Sequence, residues 1–168
     1  TLQQSSAASD VYKRQGIAVQ SSRAIIHGNN IGPIGGWNGL WLIGSFDVDA
    51  QNNTISDIAR EPVIAGDYWA GDNPDVRRLY FANNQVSTPG TGSCQSNTHW
   101  GGEFTCPVVM VHRAGATLVD NVFTAGGTAD GIRATGALLN VQRNTWNLNA
   151  AGAVIQNFDT GAAGAQQY

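Results

Sequence analysis

Glu61 and Asp130 each stand immediately before a Gly or Pro that opens a short apolar stretch, as Glu61-Pro62-Val63 and Asp130-Gly131-Ile132. Two carboxyl groups held across a gap are the apparatus of glycoside hydrolysis. In inverting enzymes one protonates the leaving oxygen and the other activates water, about 6.5–9.5 Å apart. His112-Arg113 carries a different chemistry. An elimination needs a base to remove a proton and a cation to neutralise the neighbouring carboxylate. Around these candidates lie Trp41, Asp67, Tyr68, Trp69, Trp100 and Arg133. Aromatic rings offer platforms for the apolar CH faces of sugars, and carboxylates and guanidinium groups bind their hydroxyls and charges. The candidate catalytic residues are therefore Asp130, Glu61 and His112. Trp41, Arg133, Asp67, Tyr68, Trp69, Trp100 and Arg113 are the candidate substrate contacts.

These residues form a site only if the chain stacks them. A pattern of apolar, two residues, Asn, one residue, apolar recurs at Ile26–Ile31, Ala50–Ile55, Phe81–Val86, Leu118–Phe123 and Val141–Trp146. Its asparagines, Asn29, Asn53, Asn84, Asn121 and Asn144, are spaced by 24, 31, 37 and 23 residues. The short spacings set the unit, and the long ones place insertions near 66–75 and 87–106. Three and five residues before every Asn the side chain is apolar, with mixed residues between them. That period of two is a strand signal. A second mark, Gly or Pro before an apolar stretch, recurs at Gly16–Val19, Gly39–Leu42, Pro62–Ala65, Pro107–Met110, Gly131–Ala134 and Gly152–Ile155. Counted from these marks, the outward row of that sheet is expected to read Ala18, Trp41, Ile64, Val109 and Arg133. The residues just before the marks read Asn38, Glu61, Cys106, Asp130 and Ala151. Glu61 and Asp130 then stand two rungs apart, roughly 10 Å at the strand spacing of sheets. Insertion residues Asp67, Tyr68, Trp69 and Asp72 on one side, and His99, Trp100 and Glu103 on the other, would wall a groove over the row.

Short parallel strands, about three to a turn, each burying an apolar face against its neighbours, describe a coil. The expected fold is all-β, a right-handed parallel β-helix of five to six rungs with three short parallel sheets. The pattern resembles the β-helix family of pectate lyases and polygalacturonases across 16–155. The resemblance implies that the five asparagines form a ladder of side-chain to backbone hydrogen bonds, satisfying buried turn amides. Thr128-Ala-Asp130-Gly-Ile132 is similar to the Asn-Thr-Asp-Gly-Ile segment of polygalacturonases, whose Asp is catalytic. Two of those five residues differ, and the paired aspartates, Gly-His-Gly and Arg-x-Lys motifs do not follow. Pectate lyases use an Arg base with calcium held by aspartates, so the likeness allows calcium. No motif for it is present: Asp47-Val-Asp49-Ala-Gln-Asn52 lacks the Gly at position six and the Glu at position twelve of a calcium loop. No cofactor or metal is expected.

Composition limits the remaining possibilities. The chain has 168 residues, 12% of them charged, 21 glycines and a net charge of −3. That balance disfavours nucleic acid, which selects a basic patch. No apolar run is long enough to span a bilayer. Ser5–Gln15 back-translates in frame to a string that resembles a sequencing-library adapter, so 1–15 read as a non-native tail. The β-helix then occupies 16–158, with 159–168 a tail or linker. Native sequence from Gly16 would be a fragment whose remaining rungs lie in a longer parent chain. Cys94 and Cys106 both fall in the second insertion and are expected to close a disulfide ring, or else to be two free thiols. A bridge would contribute about 3 kcal/mol and suits an extracellular or periplasmic location. The expected function is cleavage of an acidic polysaccharide in the walled groove, by lyase or hydrolase chemistry. The alternative is a non-catalytic adhesin or tailspike-like module that binds carbohydrate.

Overall fold

The computed structural model describes residues 16–20, 23–43, 47–66, 78–90, 106–127, 129–149, 154–157 and 166–167. Its strands fall into three parallel sheets. The first sheet holds β1 (Ile17–Gln20), β4 (Leu40–Ile43), β7 (Val63–Gly66), β10 (Val109–His112), β13 (Ile132–Thr135) and β16 (Ile155–Asn157). The second holds β2 (Ala24–His27), β5 (Asp47–Gln51), β8 (Arg78–Ala82), β11 (Gly115–Val119), β14 (Leu138–Gln142) and β17 (Gln166–Gln167). The third holds β3 (Asn30–Ile31), β6 (Thr54–Ile55), β9 (Gln85–Thr88), β12 (Val122–Ala125) and β15 (Thr145–Asn147). The chain visits the three sheets in turn and returns to each one strand further on, which is the winding of a parallel β-helix. β17 lies in the stretch whose composition reads as a tail, and it pairs with β14 at Leu138 and Leu139.

The second sheet follows the alternation of its sequence. Ala24, Val48, Leu79, Ala116 and Leu139 are in register, as are Ile26, Ala50, Phe81, Leu118 and Val141. All but the half-buried Val141 are in the core. Ile31, Ile55, Val86 and Phe123 close the interior from the third sheet. Phe123 stacks on Trp146 with ring centroids 4.3 Å apart. Burying these rows is the main favourable term, since no rung has enough apolar surface to stand alone.

The corner between the second and third sheets carries the asparagine ladder. Each Asn Oδ1 accepts from the backbone N–H and the Nδ2 of the Asn one rung earlier, from Asn29→Asn53 to Asn121→Asn144, at 2.8–3.0 Å. From Asn53 on, Nδ2 also reaches back to a carbonyl of the preceding rung: Ile26, Ala50, Phe81 and Leu118. The residue before each Asn turns the corner in the left-handed region: Gly28, Asn52, Asn83, Asp120 and Arg143, with φ between 51° and 65°. Asn and Asp tolerate that region better than other non-glycine residues, which accounts for three of the five.

In the first sheet the register corrects the sequence reading. Ile64 pairs with Met110, and Met110 with Arg133, so the outward row is Ala18, Trp41, Ile64, Met110 and Arg133. Val109 points into the core instead. The preceding row is Asn38, Glu61, Pro107 and Asp130, with Pro107 where Cys106 was expected. Val154 aligns with Gly131, fixed by the bond from the Ile132 N–H to the Val154 carbonyl; Ala151 lies outside the described residues. The cause is that Val108–Val111 is apolar and buried on both faces. Such a run has no alternation to read.

Candidate functional site

Outward alternation brings Trp41, Ile64, Met110 and Arg133 to one face of the first sheet, with His112 and Thr135 in the next row beside Gly66. Asn38, Glu61 and Asp130 enter that face from the turns before the strands. Glu61 and Asp130 are two rungs apart, as their position before the strands implied.

This face holds a buried polar cluster. Arg133 is the largest fully buried side chain among the described residues. Its Nη2 donates to Asp130 Oδ2 at 3.1 Å, and the two side chains are 1% and 5% exposed. Burial pulls the Arg133 guanidinium below its ordinary pKa, opposed by the hydrogen bond and charge of Asp130 and the charge of Glu61. Asn38 Nδ2 donates at 3.1 Å both to Glu61 Oε2 and to the Glu61 carbonyl. A buried cation costs several kcal/mol unless compensated, and the two acids compensate it here.

The centre of the face is closed. Ile64, Met110, Arg133, Glu61 and Asp130 are all at most 3% exposed. The face is accessible at its first rungs, and the insertion residues expected to wall a groove over it lie outside the described residues. Ala18 is exposed and Trp41 half-buried. His112 is half-buried at the far side.

The first rungs contain two residues that the sequence reading missed. Trp37 lies with its ring centroid 6.2 Å from that of Trp41, tilted by 49°. The Arg60 guanidinium sits over Trp37, 5.1 Å from the ring centroid. Both belong to turns, where no periodicity operates. Register still orders them: a step of 23 residues carries Asn38 onto Glu61, and therefore Trp37 onto Arg60. That coincidence was visible in the spacing of the marks.

Arg113 lies outside the cluster. It is exposed at the corner after β10, with φ 48°. A Cβ on Gly136 would stand 3.5 Å from the Arg113 Cγ. Asp67, Tyr68, Trp69, Asp72, Cys94, His99, Trp100 and Glu103 lie outside the described residues, as does the expected tail 1–15. Cys106 is fully buried, and among the described residues there is no free cysteine. No group of three or more His, Cys, Asp or Glu able to hold a metal occurs among the described residues. No helix among them is long and apolar enough to cross a membrane. The chain matches no family model, no curated protein and no solved structure.

Proposed function

We propose that this chain is part of a secreted β-helix protein that binds an acidic polysaccharide along the outer face of the first sheet and cleaves it. The observation that carries the reading is the gathering of Glu61, Asp130, Arg133, His112 and Trp41 on that one face. The likeness of 128–132 to the catalytic segment of polygalacturonases supports it. In a hydrolytic version Asp130 and Glu61 share the acid and base roles. In an eliminating version His112 removes the proton and Arg133 offsets the uronate charge. Cys94 and Cys106 bridge the second insertion, as befits an oxidising compartment. Thiol labelling with and without reduction tests that bridge: labelling of the unreduced, denatured chain would exclude it.

One observation favours a second reading. Glu61, Asp130 and Arg133 are nearly inaccessible, so the cluster also suits a clamp that holds the turns in place. The protein would then be a carbohydrate-binding module without catalysis. Incubation of the full chain with a panel of polyuronates separates the two. Hydrolysis yields reducing ends alone, and elimination adds unsaturated products. Either product, abolished by Asp130→Asn or His112→Ala, supports the enzyme. Binding without products supports the module, and a chain that neither binds nor cleaves overturns both.

A further inference from the structure

The Trp37, Trp41 and Arg60 group has features of a ligand site rather than of core packing. All three side chains are only half-buried. Trp41 occupies the outward row, and its register partner one rung earlier, Ala18, is exposed and carries only a methyl group. The aromatic surface on that side is not overlaid by a larger neighbour in the row. Arg60 has its cation over Trp37 but no carboxylate partner among the described residues. The acid next to it in sequence, Glu61, is engaged by Asn38 instead.

The group is also held in place. Trp37-Asn38 and Arg60-Glu61 are equivalent dipeptides in successive rungs. The buried Asn38–Glu61 bonds tie their backbones together, so the aromatic ring and the guanidinium beside it are presented on fixed turns. Two polar atoms here, Asn38 Oδ1 and Trp41 Nε1, are buried without a hydrogen-bond partner. Buried polar atoms are nearly always paired, so an acceptor and a donor remain at the base of the group.

We infer that Trp37, Trp41 and Arg60 form a subsite for one carboxylate-bearing sugar ring, stacked on Trp41 with its carboxylate on Arg60. This rests on the glycan reading above and names the residues that select an anionic ring over a neutral one. Stacking uses the apolar ring face and is indifferent to charge. Arg60 supplies the charge-assisted, planar hydrogen bonding that a carboxylate fits. Indole rings and a guanidinium supply stacking and charge rather than an acid or base, so the subsite binds and orients and does not react.

Isothermal titration of the full chain with a short oligogalacturonate, and with its methyl ester, tests the assignment. The acid is expected to bind more tightly than the ester. Arg60→Gln should weaken the acid by about ten- to a hundredfold and leave the ester unchanged, so the preference disappears. Arg60→Lys should retain part of it, and Trp41→Ala should weaken both probes, with Trp41→Phe intermediate. If the parent chain binds the acid but Arg60→Gln and Trp37→Ala bind it equally well, the subsite is overturned and the glycan reading stands. Equal loss of both probes in Arg60→Gln would make Arg60 structural and would also overturn it. A parent chain that binds neither probe removes the subsite and the glycan reading together.

Discussion

Asn84 donates to Asn121 Oδ1 and to the Ala50 carbonyl, and accepts from the N–H and Nδ2 of Asn53. Asn84→Ala therefore strands buried groups on both neighbouring rungs, each of which costs about 1–3 kcal/mol when unpaired. Urea denaturation should show a loss of about 3 kcal/mol or more, against almost none for the exposed neighbour Gln85→Ala. A small loss for Asn84→Ala would mean the ladder is decorative. Asp120 tests the surface at the same scale. Its hydrogen bond and ion pair with Arg143, at 2.7 Å, hold its carboxyl below the ordinary carboxylate pKa, with slight burial opposing. A depressed folded pKa means that the pair's support is present at neutral pH and is lost as pH falls through that lowered pKa. Titration of the Asp120 carboxyl by nuclear magnetic resonance should give a midpoint below that of an unpaired Asp, moving upward in Arg143→Gln. An unmoved midpoint would rule the pair out as the cause. The asparagines of the ladder corner were legible in the sequence, because the corner repeats one residue type at one position. The meeting of Trp37 and Arg60 was readable only as a spacing of 23 residues between the marks, because their turn position repeats no residue type.

At the scale of the strand, the second sheet and the first were unequally legible. The second has one wet face, so apolar and mixed residues alternate, and Arg23, Asp47 and Arg78 stack outward, with Asp47 ion-paired to both guanidinium groups at 3.5 and 3.3 Å. Such exposed pairs contribute little individually. The first sheet is buried on both faces at its centre, and its fourth strand could not be registered from composition. Gly66 shows how closely that sheet is fitted. Its φ is 122°, and a Cβ there would collide with the His112 carbonyl oxygen. Gly66→Ala should push β7 and β10 apart where His112 is held. Expected outcomes are a lowered melting temperature and, if His112 is the base, a loss of turnover larger than the loss of binding. Unchanged stability would show that the sheet accommodates the methyl group by shifting.

At the scale of the whole molecule, each strand of a sheet pairs only with strands of adjacent rungs. Stability in such a stack is close to a sum of rungs and their interfaces. Amides of β8 and β11, each flanked by strands on both sides, should exchange more slowly than those of β3 and β15, which stand at the ends of their sheet. Hydrogen exchange read by mass spectrometry checks this, and uniform protection would mean the coil opens as a single unit. The same stacking explains how a site can form from distant residues. Asn38 and Glu61 are neighbours in space, and Glu61 and Asp130 stand two rungs apart in one column, because one residue per rung enters it.

By itself the sequence determined the coil. A repeated Asn corner and a period of two leave a stacked parallel sheet as the arrangement that buries every apolar row and satisfies every corner amide. It also placed Trp41, Arg133 and His112 at positions of like parity in their strands, and parity along a strand fixes which side a residue takes. What it could not determine was how that face is used. Only the tertiary structure decided that Met110 rather than Val109 lies in the row, that Arg133 is buried against Asp130, and that Trp37 and Arg60 meet beside Trp41. Those outcomes depend on pairing register in a strand apolar on both sides, and on packing across rungs. Both are properties of contacts between segments far apart in the chain, which no local pattern encodes.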